Sequence, residues 1–229
     1  MRRIKKYKEL FEDQTELTEN QTKWLDRVIG GFHVGKWTLN PQTGLVDVYG
    51  NFDCYSQRLS DFKGVRFGVV TGDFRFTWNL FTSLVGAPQQ VGGDFICSHN
   101  QLTSLEGAPK EVGGSFYCNG NQLISLKGAP LRVGVVFSCS DNPITSLEGA
   151  PKEVGVKFQA ERNPVSERTL EALYMGMKSG MSWPDAVAGY WGEIESDEDK
   201  ILLAPYNPKL SPEDRRGYDA LSKFRGKII

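Results

Sequence analysis

The sequence predicts an α/β repeat. A short solenoid carries a parallel sheet on its concave face and an extended convex side, with helical caps at both ends. Three recurring signals predict it. Gly-Ala-Pro recurs at Gly86-Ala87-Pro88, Gly107-Ala108-Pro109, Gly128-Ala129-Pro130 and Gly149-Ala150-Pro151. Phenylalanine recurs at Phe74, Phe95, Phe116, Phe137 and Phe158, and asparagine at Asn79, Asn100, Asn121, Asn142 and Asn163. Every step is 21 residues. A fixed period of about 20–50 residues is the signature of stacked supersecondary units, each unable to bury its apolar face alone.

Taken in chain order, residues 1–49 read as an N-terminal cap. Thr18 and Gln21 have the spacing of a capping box, in which each side chain satisfies the other residue's free backbone N–H. The helix they start should end near Gly30-Gly31. Trp37 to Leu39 and Leu45 to Val48 read as a hairpin that opens the sheet.

Residues 50–165 carry the repeat, about six coils. A less regular first copy begins at Asn51-Phe52-Asp53-Cys54 and lies 22 residues out of step with the next. Within one unit, Phe116 and Cys118 are two apart, so on a strand they face the same side, which must be the core. Asn121 ends the strand, where a buried amide can bond the backbone of the adjacent coil. Leu123 and Leu126 turn the chain inward. Gly-Ala-Pro makes an extended return, because proline forbids a helix interior. Val91, Val112, Val133 and Val154 complete the apolar columns.

Residues 166–229 drop the period and read as a helical C-terminal cap. Ser166, Ser182 and Ser211-Pro212 start helices, and a further helix holds Asp199 to Leu203.

The unit Phe-x-Cys-x-x-Asn-x-Leu-x-x-Leu resembles the leucine-rich-repeat consensus. Its 21-residue length resembles the short bacterial type found in secreted effectors of enteric pathogens, and Asn100-Gln101-Leu102-Thr103-Ser104-Leu105 is especially close. Phe and Cys stand where that consensus has leucines, and Gly-Ala-Pro replaces a Leu-Pro-rich segment. Some of those effectors carry a ubiquitin-ligase domain with a nucleophilic cysteine after the repeats. This chain has no cysteine after Cys139, so the resemblance implies fold and not that activity.

A binding surface is expected where the sheet's outward columns vary while the inward ones do not. Arg75, Trp78, Ile96, His99 and Tyr117 fall close together by the column arithmetic. Trp, Tyr and Arg are the types enriched at binding hot spots. These five are the candidate protein-binding residues.

Little points to other chemistry. Lys+Arg is 27 against Asp+Glu 28, which suggests neither a nucleic-acid nor a membrane partner. No apolar run approaches the roughly 18 residues of a membrane span. Cys97, Cys118 and Cys139 mark a repeat position and lack metal-ligand spacing, so reduced, buried thiols are expected. His99 and His33 are the two histidines; no catalytic or phosphate-binding motif accompanies them. No catalytic residue, metal or cofactor is expected.

Lys6-Tyr7-Lys8-Glu9-Leu10-Phe11-Glu12 is similar to the capsid-targeting leaders of internal proteins in T-even-like tailed phages. That resemblance implies cleavage after Glu12. The expected function is non-enzymatic protein recognition, in a bacterial host's cytoplasm or inside a virion. A structural virion component is the rival, and an enzyme site in the C-terminal helices a third reading.

Overall fold

A computed structural model of the chain describes residues 16–30 and 36–225. The leader-like residues 6–12 and His33 lie outside the described residues.

Each coil supplies one short strand to each of two sheets. The six-stranded sheet takes the Phe strands: β3 (Phe52–Asp53), β5 (Phe74–Arg75), β7 (Phe95–Ile96), β9 (Phe116–Tyr117), β11 (Val136–Ser138) and β13 (Lys157–Gln159), in that order and all parallel. The seven-stranded sheet opens with the antiparallel hairpin β1 (Lys36–Leu39) and β2 (Val46–Tyr49). It continues in parallel through β4 (Phe67–Val70), β6 (Gln90–Val91), β8 (Glu111–Val112), β10 (Arg132–Val133) and β12 (Glu153–Val154). The chain is thus a parallel-sheet solenoid whose extended back, around the valine column, is itself hydrogen-bonded from coil to coil.

The core lies between the sheets. Phe52, Phe74, Phe95, Phe116 and Phe137 are fully buried, each contributing roughly 1.5–3 kcal/mol of transfer free energy. Their rings stack along the axis; Phe95 and Phe116 are 4.9 Å apart at 2°. The stack continues past the last coil, where Phe158 meets Tyr174 at 4.2 Å. At the N-terminal end Phe76 replaces the cysteine of other coils and joins Phe62 and Phe81 in an aromatic cluster.

The asparagine column forms the expected amide ladder. Asn121 Nδ2 donates to Cys97 O and Cys118 O, both at 3.1 Å, and its Oδ1 accepts from Leu102 N at 3.0 Å. One side chain thus ties consecutive coils through backbone groups that packing would otherwise leave unpaired.

The 22-residue step has a local cause. Val46 pairs with Phe67, but Val48 pairs with Val70, so the extra residue is a β-bulge in β4. Beyond it β4 pairs with β6 in the 21-residue register, Val70 with Val91. A bulge absorbs one residue without reversing the side-chain faces that follow.

Helix α1 (Glu19–Gly30) covers the first coil with buried Trp24, Leu25, Val28 and Ile29. The capping box is present: Thr18 N donates to Gln21 Oε1 at 2.8 Å, and Gln21 N to Thr18 Oγ1 at 3.3 Å. Gln21 Nε2 also donates to Lys63 O, pinning the helix to the first coil. At the far end lie α2 (Glu167–Lys178), α3 (Trp183–Tyr190), α4 (Asp197–Leu203), a 3-10 turn through Pro205, and α5 (Pro212–Arg225). Ser166, Ser182 and Ser196 cap the first three. Buried Asp199 accepts from Ser166 N and Oγ and from Thr169 Oγ1, clasping α4 to the start of α2.

Candidate protein-binding face

The outward side of the six-stranded sheet holds all five candidate residues, in two adjoining groups. Arg75, Ile96 and Tyr117 are in register on β5, β7 and β9. Trp78 and His99 sit where the chain leaves the sheet. The corner column Ser56, Trp78, His99, Gly120, Asp141 and Arg162 has positive φ throughout, from 52° to 62°. This left-handed geometry is what turns each coil from strand to asparagine. It costs a non-glycine residue about 1 kcal/mol or more, so the architecture imposes it and the side chain is secondary.

At two corners the residue is aromatic. The Trp78 and His99 rings stack at 4.1 Å and 15°, and Trp78 is 54% exposed. The next corner is Gly120, where a Cβ would lie 2.5 Å from His99 Nδ1; the imidazole leans into that space. Beyond it Arg162 is hydrogen-bonded to Asp141. This bond, helped by the charges of Arg162 and His99, holds the Asp141 carboxyl below the ordinary carboxylate range.

Arg75 is bound by its neighbours. Its guanidinium lies 3.5 Å from Asp53 Oδ2 and 3.9 Å from Asp73 Oδ2. A rigid, partly neutralised arginine is better ordered for a contact than a free one.

The first four positions of one outward column, Asn51, Asp73, Asp94 and Ser115, are architectural. Asp73 N donates to Asn51 Oδ1, Asp94 N to Asp73 Oδ1, and Ser115 N to Asp94 Oδ1, at 2.7–2.8 Å. This second ladder pairs backbone groups at the corner between the two sheets. Sequence reading missed it because the column mixes Asn, Asp and Ser; the shared signal is an acceptor oxygen on a short side chain.

Other features are explained by packing. An open groove of about 900 Å³ runs along the seven-stranded sheet, lined by Val91, Val112, Val133, Val154 and a glycine row. A Cβ on Gly113 would lie 2.2 Å from Gly92 O, so these glycines let consecutive coils approach. The cysteines are buried, and burial pushes all four thiols well up. Cys97, Cys118 and Cys139 each direct Sγ to the next coil's carbonyl at 3.3–3.4 Å. Among the described residues no group of three or more His, Cys, Asp or Glu is placed to hold a metal. Nor is any described helix long and apolar enough to cross a membrane.

No family model, curated protein or solved structure matches the chain.

Proposed function

We propose that the chain is a non-enzymatic protein-recognition module whose contact face is the outward side of the six-stranded sheet. The observation that carries this reading is the exposed Trp78–His99 stack beside the Arg75–Ile96–Tyr117 row. Trp, Tyr and Arg dominate binding hot spots because they bury much area at low entropic cost. Here the stack and the Asp53–Arg75 pair pre-order two of these side chains. In the last two coils these rows carry no aromatic residue, and Arg162 is paired with Asp141 and Glu161, which suits a contact concentrated on the first four coils.

The test is a pull-down from bacterial host lysate with the full chain, using R75A/W78A/Y117A as control. Loss of a specific partner from a variant with unchanged circular dichroism supports the reading. Capture of the same partners by both proteins rejects this face.

The leader-like segment at residues 6–12 supports a second reading, delivery into a virion as an internal or structural component. It requires that mature particles contain a chain beginning at Asp13. Mass spectrometry that finds no such chain removes it.

A further inference from the structure

His99 is the one histidine among the described residues. Histidine is the side-chain type whose ordinary change of charge falls between pH 5 and 8. Its ring lies on the Trp78 indole at 4.1 Å and 15°.

At this corner the backbone is held and the rings are not. Trp78 N donates to Ser98 O at 3.2 Å, and His99 N to Asn119 O at 2.8 Å. Both residues adopt the left-handed conformation that the corner demands. Neither ring makes a hydrogen bond to another described residue. The imidazole stack is therefore the contact that orients an indole 54% exposed to solvent.

Gly120 gives the imidazole its place. A Cβ there would lie 2.5 Å from His99 Nδ1 and 3.0 Å from its Cε1. The ring thus fills space that any other residue would occupy, with Trp78 on one side and the Asp141 corner on the other.

Few charges face it. The corner segments packed on either side, Thr77 to Asn79 and Asn119 to Asn121, are uncharged. Asp141 is the first charge along the column, with Arg162 bound behind it and Glu161 beside Arg162. A positive His99 helps hold the Asp141 carboxyl low, so the two groups sense each other across Gly120. In the other direction Ser56 stands between the stack and Arg58. Within the sheet, Arg75 is taken up by Asp53 and Asp73, and Tyr117 is the other titratable member of the face.

A neutral imidazole is held on the indole by ring stacking. An imidazolium adds the attraction of a cation to the indole quadrupole, with Asp141 favouring the same charge from the far side. Protonation therefore strengthens the contact that orients Trp78.

We propose that protonation of His99 clamps the Trp78 indole, so that the recognition face is ordered in weakly acidic solution and loosens as the pH rises. Control of binding by this clamp rests on the recognition face proposed above; the clamp itself is read without a partner.

The test labels the full chain with 5-fluorotryptophan and follows the Trp78 resonance, assigned through W78F, from pH 8 to pH 5. The comparison protein is H99N, because asparagine tolerates the left-handed corner and carries no charge. H99Q is the second variant should H99N not fold. In the wild type the Trp78 line is expected to move in a single transition. Its fast ring motion should fall on the acid side, as the stacked-to-open ratio rises roughly two- to fivefold. In H99N the same line should be indifferent to pH. A wild-type Trp78 that ignores pH, that responds equally in the His99 variants, or that becomes more mobile in acid overturns the proposal. Failure of the recognition face is read separately, from the R75A/W78A/Y117A pull-down.

Discussion

A Cβ atom on Gly114 would lie 2.3 Å from Oδ1 of Asp94, the oxygen that accepts the Ser115 N–H at 2.7 Å. The same relation holds between Gly93 and Asp73. Where the ladder residue becomes Ser115, whose hydroxyl accepts from Val136 N at 3.3 Å, the corner residue becomes Val135. A carboxylate thus occupies the side-chain space of the glycine at this corner, with backbone atoms of the preceding coil 2.8–2.9 Å from the same position.

This coupling predicts a compensating pair. G114V should destabilise the chain by about 1–3 kcal/mol through overpacking. D94S/G114V recreates the Ser115–Val135 pairing and should recover the part of that loss due to the carboxylate, the Gly93 backbone contacts remaining. Urea denaturation of the four combinations measures the coupling; additive effects would disprove it.

The amide ladder should be worth more than any surface contact. N121A leaves Leu102 N–H, Cys97 O and Cys118 O without their side-chain partner in a buried setting. The expected cost is about 3 kcal/mol, at 1–3 kcal/mol per unsatisfied group with partial relaxation. Equilibrium unfolding checks it, with an unchanged m-value expected for a loss confined to the native state.

Fold and recognition separate at Trp78. W78G removes the ring stack, worth about 0.5–1.5 kcal/mol, but relieves the left-handed strain, worth about 1 kcal/mol or more. Thermal unfolding should shift by only a few degrees, while partner capture is lost. A large drop in melting temperature would make Trp78 a structural residue.

The thiols give a pH signature. Burial raises all four above their ordinary value of 9.0, so the folded state holds their protons longer than the unfolded state does. That contribution is complete below pH 9 and is lost progressively as pH rises toward the raised folded values, at about 1.4 kcal/mol per thiol per pH unit. At pH 8 a thiol reagent should leave the native chain unmodified and titrate four groups in guanidinium. Rapid reaction of the native chain would show that the thiol column opens to solvent.

Much of the fold is legible in the sequence because identical neighbours force identical inward residues. Phe95, Phe116 and Asn121 read as core and ladder from spacing alone, and Thr18 with Gln21 reads as a helix start. The second sheet is not legible. Its strands are as short as Gln90–Val91, and a lone valine per coil gives no alternation to read. The Asp73–Asp94 ladder is hidden by its mixed residue types. The arithmetic puts Trp78 beside His99, but their stacking depends on the left-handed corner. The small or polar Ser56, Gly120 and Asp141 in that column are the sequence trace of it.

Hydrogen–deuterium exchange of the full chain with its captured partner tests the central claim most directly. The recognition face predicts slowed exchange within residues 73–79, 94–100 and 115–121 and no change along the seven-stranded sheet. Protection instead at Gln90, Glu111, Arg132 and Glu153, or confined to the C-terminal helices, would contradict it.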